Sequence, residues 1–421
     1  MGGIDGRMRV LHTSDWHLGH LLLELSRERE HRAFLAWLLD VLEAEAIDAL
    51  LVTGDVFDGG NPPAAAQAAW YRFLAEAHRR RPAMTTVVIA GNHDSPARLA
   101  APAPLLAGVR AHVVAALPRS PGGGLDLERV VVPLPRADGS VAAWAVAVPF
   151  LRPGDLPADL DDAEAVRAIY GEALAHARAR RQPGEAIVAL GHLHVSGGEP
   201  SWMSERRVLV GGLEALDARS LGDDVAYVAL GHLHKAQRVG GAEHVRYAGS
   251  PIPLAMGEAD YRHQVVVVEL DGERASAIRT LPVPRAVELL RVPRAAAPLA
   301  EALAALAALP DAPPAAPGAS DDRDTWPYLE VRVRLDEPAP HLRAQVEQAV
   351  RGKRARLVKI SPELTGDRRA LADGPLPEAL AELDPREVLR RRWRRDHAGE
   401  VPAAVVAAFE QLLAEVEAGA P

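Results

Sequence analysis

Over its first hundred residues the chain alternates short, continuously apolar runs with longer segments whose apolar residues recur at helical spacing. Arg9 to Thr13 (RVLHT) reads as a strand. From about Ser26 to Ala46, the positions Phe34, Leu35, Leu38, Leu39 and Leu42 share one face, which predicts a helix. Ala49 to Thr53 reads as a buried strand, and Pro62-Pro63 opens a second helix to about Arg80, since proline suits a first turn. Thr85 to Ala90 is a third strand. Each of these strands runs into a polar loop: Asp15-Trp16-His17, Gly54-Asp55-Val56-Phe57-Asp58, and Gly91-Asn92-His93-Asp94. Such alternation predicts an α/β fold with its site at the carboxyl ends of the strands.

From Ala111 to Val148 the runs shorten and Pro/Gly turns separate them. A helix is expected near Ala163–Ala177, then strands at Ala186–Leu190 and Val225–Leu230, both ending in Gly-His. The near-copies VALGHLH at 188–194 and 228–234 read as one strand-to-loop device used twice. Strands near Gln264–Leu270 and Arg274–Thr280 are expected to close this domain, taken as 8–282. A small α+β domain follows over 283–365: strand Glu288–Val292, an alanine-rich helix Pro298–Leu309, a Pro/Ala/Asp linker over 310–327, strand Tyr328–Leu335, helix His341–Arg351 and strand Ala355–Ile360. The tail over 376–418 reads as helical, with Val401, Val405, Val406, Phe409, Leu412, Leu413 and Val416 on one stripe after the basic run Arg390–Arg395.

Composition narrows the class. The 421 residues suffice for a large core and two or three domains. Hydrophobic residues make up 48% and charged residues 25%, as in soluble globular proteins. No cysteine is present, so disulfides and thiolate metal ligands are excluded. Residues 1–7 carry no apolar signal core and read as a disordered extension or a misassigned start. No apolar stretch is long enough for a membrane span, so a cytoplasmic protein is expected. A net charge of −9 excludes a uniformly basic nucleic-acid surface but not nucleic acid itself, because metal ions can supply positive charge at a phosphate.

The loops carry the chemistry. Asp15, His17, Asp55, Asn92, His192, His232 and His234 offer carboxylate, amide oxygen and imidazole ligands, each after a predicted strand. Seven such groups suffice for two divalent ions sharing a carboxylate, an arrangement that stabilises both the attacking and the leaving oxygen of a displacement at phosphorus. The mixture of imidazole and carboxylate suits Mn²⁺, Fe or Zn²⁺ better than Mg²⁺ alone. Taken singly, each motif has an ordinary reading as a solvated loop or a turn; their joint order points to a metal centre. His12, His20, His31, His78 and His244 show no partner pattern and read as surface or core residues. His194 is the doubtful member of the first Gly-His-Leu-His. The seven tryptophans read as packing residues, and no G-x-x-x-x-G-K-[ST] loop is present for ATP.

These motifs resemble the calcineurin-like metallophosphoesterase superfamily and, more narrowly, the SbcD family of nuclease subunits. The narrow likeness rests on HTSDWHLGH, GDVFDGGNPP, VVIAGNHDSPARL, GHLHKAQ and YAGSPIPLAMGE, and is strong over roughly 8–290. It implies a four-layer α/β/β/α sandwich, a capping domain that recognises DNA, and a helical tail that docks on an SbcC-type ATPase subunit. It implies Asp15, His17, Asp55 and His234 on one ion, with Asp55 bridging to a second ion held by Asn92, His192 and His232. His93 matches the family's catalytic histidine, and Asp94 is expected to orient it. The resemblance further implies a Mn²⁺-dependent nuclease, with Mg²⁺ as the alternative metal, acting on duplex ends and hairpin DNA as a homodimer within a heterotetramer. Asp58 stands where archaeal and eukaryotic relatives often carry histidine, and no role is carried over to it. Two alternatives remain: a phosphatase or small-molecule phosphodiesterase of the same superfamily, and a DNA-end scaffold with a vestigial site. Asp58-Gly59-Gly60, in place of the Asp-Arg-Gly of protein phosphatases, favours a diester substrate over a monoester.

Overall fold

A computed structural model describes residues 7–157, 159–199, 224–313, 322–336 and 339–364, with a few positions after 388. Strand β1 (Met8–Thr13) leads through a small hairpin, β2 (Leu21–Leu22) and β3 (Leu25–Ser26), into α1 (Glu28–Ala44). Next come β4 (Ala49–Thr53), α2 (Ala64–Arg80), β5 (Thr85–Ile89), the short α3 (Pro96–Ala100) and α4 (Ala103–Leu106), and β6 (Ala111–Val114). A second set follows: α5 (Leu127–Val130), β7 (Val131–Pro135), β8 (Val141–Ala147), α6 (Asp162–Arg180), β9 (Ala186–His192), β10 (Tyr227–Gly231), β11 (Gln237–Val239) and β12 (Ala242–Tyr247). The chain then returns through β13 (Gln264–Asp271) and β14 (Arg274–Pro282).

These strands build two six-stranded mixed sheets, ordered β14-β13-β1-β4-β5-β6 and β11-β12-β10-β9-β8-β7. In the first, β1, β4, β5 and β6 run parallel, and β13 joins β1 antiparallel. Strands β4 and β5 are buried along their whole length, which is why their sequences are unbroken apolar runs rather than alternating ones. One core lies between the sheets, where Val10, Leu51, Val87 and Ile89 meet Ala145, Val188, Tyr227 and Ala229. A second packs α1 and α2 on the outer face of the first sheet through Phe34, Leu38, Trp70 and Phe73. A third packs α6 on the outer face of the second through Val166, Ile169 and Leu174. His12 is wholly buried between the sheets and joins them through Tyr227 Oη and Thr53 Oγ1, each 2.9 Å away. Burial lowers its pKa to about 3, so it is neutral.

Trp16 shows how packing serves the site. It is fully buried, edge-on to Phe34, Trp70 and Phe73 with ring centroids 5.2–5.4 Å apart, and its Nε1 donates to Thr13 Oγ1. His31 donates from Nε2 to the Trp16 carbonyl at 3.0 Å. The indole thus pins the turn between the two candidate ligands Asp15 and His17. It is a packing residue, in keeping with the role read for the tryptophans.

A third, three-stranded sheet is ordered β15-β16-β17, from β15 (Leu289–Pro298), β16 (Tyr328–Leu335) and β17 (Arg356–Leu364), with helices α7 (Leu299–Ala307) and α8 (Leu342–Ala349). Two boundaries depart from the sequence reading for physical reasons. Helix α1 begins at Glu28 because Ser26 is taken by the β2–β3 pairing. The segment read as a linker over 310–327 is anchored at its beginning: Asp311 bridges to Lys353, the Ala312 N–H donates to the Gly352 carbonyl, and the Pro310 carbonyl accepts from the Arg354 N–H. Residues 314–321 lie outside the described residues, as do nearly all of the predicted tail 376–418 and the run 390–395.

Within the first unit, Met1–Val333 with Pro340–Glu363, a buried charge network joins the three-stranded sheet to α1 and the loop before β13. Arg27 is fully buried and forks onto Glu30 at 2.5 and 2.6 Å, and its Nη1 donates to the Pro253 carbonyl at 2.7 Å. Tyr328, at the start of β16, donates to Glu30 Oε2 at 2.8 Å, and Arg27 lies 5.1 Å from its ring. A bidentate guanidinium–carboxylate pair is strong when complete and costly when broken, because one charge is left uncompensated. Glu30→Ala is therefore expected to destabilise the protein by about 3–5 kcal/mol, read as a lower urea midpoint, whereas Tyr328→Phe, which removes only the hydroxyl bond, should cost about 1 kcal/mol.

Candidate metal centre

Strand ends β1, β4, β5, β9 and β10 converge, and the turns after them are strained in a shared way. Asp15, His17, Asp55 and His232 all have left-handed backbones, with φ of 53°, 46°, 49° and 101°. Non-glycine residues held there cost about 1–3 kcal/mol each and persist only where the surroundings over-determine them. The glycines beside them are required by close approach. A Cβ on Gly91 would lie 2.1 Å from Asp55 Oδ1, and one on Gly231 would lie 1.9 Å from the Thr53 carbonyl. The recurring Gly-Asp, Gly-Asn and Gly-His pairs are thus the mark of loops packed backbone to backbone.

Three sets of ligand atoms cluster here among the described residues: Asp15, His17 and His234; Asp15, Asp55 and His192; and His17, Asp58 and His93. Several imidazoles are fixed through Nδ1 to an oxygen. His17 bonds Asp58 Oδ1 at 3.0 Å, His192 the Thr53 carbonyl at 2.8 Å, His234 Glu258 Oε1 at 2.9 Å and His93 the Asp58 carbonyl at 2.8 Å. A carbonyl or carboxylate only accepts, so these Nδ1 atoms carry the proton and the bare lone pair of each neutral ring sits on Nε2. His192 Nε2 then faces Asn92 Oδ1 at 3.0 Å and Asp55 Oδ2 at 3.4 Å, while His232 Nδ1 lies 3.1 Å from the same Asn92 oxygen. His17 Nε2 is buried, makes no hydrogen bond, and lies 3.5 Å from Asp55 Oδ2. These nitrogens and oxygens converge on Asp55, a junction that protons or a metal ion can complete. The donor set therefore fits divalent metal ions, with Asp55 placed between the two groups of histidines.

The charge balance agrees. Burial alone would lower His17 and His192, but the Asp55 carboxylate, helped by Asp58 at His17 and by Asp15 at both, more than offsets it, raising them to about 10 and about 9. Asp55, which burial alone would raise, is held well below the carboxylate range by the same two rings. His232 is lowered to about 3 by burial and by the neighbouring His192. Metal ligation requires neutral imidazole, so uptake of an ion displaces protons from this cluster. Main-chain N–H groups hold the carboxylates in place: His232 donates to Asp15 at 3.1 Å and His93 to Asp55 Oδ1 at 2.8 Å.

The structure brings together Asp15, His17, Asp55, Asn92, His93, His192, His232 and His234. It places His194 half-buried, outside all three clusters. Asp94 requires a correction: its carboxylate does not orient His93. It accepts from the main-chain N–H groups of Val56, Phe57 and Gly91 at 3.2, 3.0 and 2.9 Å, stapling two loops together, while the Asp58 carbonyl takes the His93 ring. Burial and the Asp55 charge raise Asp94 to about 6. His20, read as an ordinary histidine, also belongs to the site. Its Nδ1 bonds Asp58 Oδ1 at 2.9 Å and its Nε2 the Leu254 carbonyl at 2.9 Å. Sequence reasoning missed Glu258, fully buried, whose other oxygen accepts from the Leu254 N–H at 2.7 Å. Its only signal was its place in YAGSPIPLAMGE. Asp58 gains a role too, because its carboxylate receives both His17 and His20.

The calcineurin-like phosphoesterase pattern matches residues 8–236, and that of the type 5 capsule protein repressor C-terminal domain matches 285–397. The SbcD protein of the nuclease SbcCD from Rhodobacter capsulatus is 39% identical over 388 residues, covering 90% of this chain and 92% of its own length. The chain belongs to the SbcD family of calcineurin-like phosphoesterases. A second SbcD, of Escherichia coli K12, is 33% identical and covers 91% of this chain and 92% of its own. The SbcD of Bacillus subtilis is 37% identical over 278 residues, which is 64% of this chain and 68% of its own.

Two outcomes follow from the geometry. Gly91→Ala drives a methyl group into Asp55 Oδ1 and should abolish divalent-metal uptake, measured by calorimetry, while the circular dichroism spectrum is kept. Asp94→Asn offers one acceptor oxygen to three N–H donors, so the loss of at least one bond should cost about 1–3 kcal/mol of unfolding free energy.

Proposed function

We propose that this chain is the nuclease subunit of an SbcCD-type DNA repair complex, hydrolysing DNA phosphodiester bonds at a two-metal centre. The observation that carries this reading is the convergence of the His17 and His192 Nε2 atoms, Asn92 Oδ1 and the Asp15 carboxylate on the buried Asp55. In this reading Asp15, His17, Asp55 and His234 hold one ion, and Asp55, Asn92, His192 and His232 the other. Mn²⁺ is the preferred metal for such mixed ligands. The bound ions supply Lewis-acid stabilisation of the phosphate and an activated water.

The remaining steps belong to the chain. His93 has its Nδ1 bonded to the Asp58 carbonyl, so Nε2 is the atom available to donate a proton to the leaving oxygen or to contact the phosphate. Asp58, Glu258 and Thr53 hold the ligand rings in the tautomer that presents Nε2.

The division of labour follows the family: nuclease domain 8–282, capping DNA-recognition domain 283–365, and tail 376–418 docking an amphipathic helix on the coiled coil of an SbcC-type ATPase. The assembly is a homodimer of this chain within a heterotetramer, cytoplasmic, acting as a duplex exonuclease and a hairpin or single-strand endonuclease. No helix of the described residues is long and apolar enough to cross a membrane.

The decisive assay is Mn²⁺-dependent cleavage of end-labelled duplex and hairpin DNA, with and without the ATPase partner. Rapid hydrolysis of small phosphomonoesters with DNA left intact would replace the nuclease reading by a phosphatase. His93→Ala should keep metal and DNA binding and lose cleavage by about 10²–10⁴-fold; undiminished cleavage would place the proton donor elsewhere. Deleting 376–421 should abolish co-purification with the ATPase subunit and spare the nuclease activity of the isolated chain.

A further inference from the structure

Beyond the end of β8 the chain runs alongside the metal centre. The Phe150 N–H donates to the Ala90 carbonyl at 2.9 Å, tying this segment to the residue before the Gly91-Asn92-His93-Asp94 turn. The Phe150 ring meets the His192 ring edge-on, centroids 6.2 Å apart. Arg152 lies with its guanidinium carbon 5.5 Å from the Phe150 ring centroid, and its Nη2 donates to the Asp94 carbonyl at 3.1 Å. A half-buried cation is thus held against the same turn that carries Asn92 and His93.

Like Arg119 and Arg356, Arg152 has no carboxylate partner among the described residues, but it alone of these three is bonded to the turn that carries Asn92 and His93. Arg27, Arg80, Arg178, Arg279 and Arg291 all pair with acids. The acid nearest in sequence, Asp155, takes the Arg152 main-chain N–H at 2.8 Å and not its guanidinium. A guanidinium has five N–H donors in a planar fork, and one carbonyl and one ring face leave most of them for a ligand. The centre beside it is rich in carboxylates, and net charge is −9, so a fixed cation at this spot favours the approach of a polyanion. The fork matches the geometry of two phosphate oxygens.

We propose that Arg152 binds the DNA phosphate next to the scissile one and so seats the strand against the metal centre. This rests on the nuclease reading and deepens it. It makes Arg152 a strand-binding residue that, among the described residues, makes no hydrogen bond or ion pair with the candidate metal ligands or the His93 side chain. The competing role is a purely structural tether between the Phe150–Arg152 segment and the Asp94 turn.

The test compares the full-length chain with its Arg152→Gln and Arg152→Lys variants. Duplex binding is followed between 50 and 200 mM salt, roughly the range over which phosphate contacts show themselves. Mn²⁺ affinity and hydrolysis of bis(p-nitrophenyl) phosphate, which has no neighbouring phosphate, are measured alongside. Arg152→Gln should lower the slope of log K against log salt by about 1 and raise KM for duplex roughly tenfold, with Mn²⁺ affinity and turnover of the small diester retained. Arg152→Lys should keep the slope and recover part of the KM. An unchanged slope and KM would overturn the proposal, and so would a parallel loss of Mn²⁺ affinity and small-diester turnover, the signature of a tether. If the unmodified chain hydrolyses the small diester yet neither binds nor cuts duplex, the nuclease reading falls and this proposal with it; DNA cleavage that Arg152→Gln leaves unchanged sinks this proposal alone.

Discussion

Everything at the functional end of this molecule is arranged around one buried carboxylate. Asp55 is 2% exposed, and a charge so placed must be compensated by nearby cations. His17 and His192 approach it from opposite motifs, and its own main chain sits in the left-handed region to bring it there. Neutral histidines, a carboxylate and an amide oxygen cannot pack at such distances without positive charge between them. The site is therefore unfinished as protein alone, in the sense that protons or metal ions complete its electrostatics.

Around that centre the outer hydrogen bonds close on themselves. His17 bonds Asp58, which also bonds His20; His20 reaches the Leu254 carbonyl; the Leu254 N–H reaches Glu258; and Glu258 bonds His234. Two candidate ligands from the first and last motifs are thus oriented by a continuous chain of partners. Asp94 staples the loops of the second and third motifs from behind. Such outer partners fix ring orientation and tautomer, which is what a metal ion requires of its ligands before it arrives. Glu258 and His20 carry as much of that order as several of the ligands themselves.

The sequence was most legible where local patterning and packing agree. Strands β4 and β5 stand out as unbroken apolar runs because both of their faces are buried, and α1 and α2 show clean helical stripes because one face of each packs on the sheet. The convergence of Asp15, His17, Asp55, Asn92, His192, His232 and His234 was legible because each motif follows a strand directly and glycine marks close backbone approach. Asp94 was placed correctly at the site but misread in role, because a carboxylate next to His93 in sequence points its oxygens at three main-chain N–H groups instead. Glu258 and His20 were not legible as site residues. Nothing local distinguishes them from ordinary surface groups, and their partners lie 24 and 38 residues away along the chain.

By itself, the sequence determined the elements, the strand-end loops and the inventory of donor atoms, because these depend on periodicity and on residue chemistry within a few positions. Tertiary structure decided which strands are neighbours: β13 pairs with β1 and β10 lies between β9 and β12, pairings that no local mark in the chain announces. It also decided which nitrogen of each histidine is bare, since that depends on an oxygen supplied by a distant segment. Ligand identity is a property of residues, whereas ligand orientation is a property of hydrogen bonds that exist only once the sheets have closed.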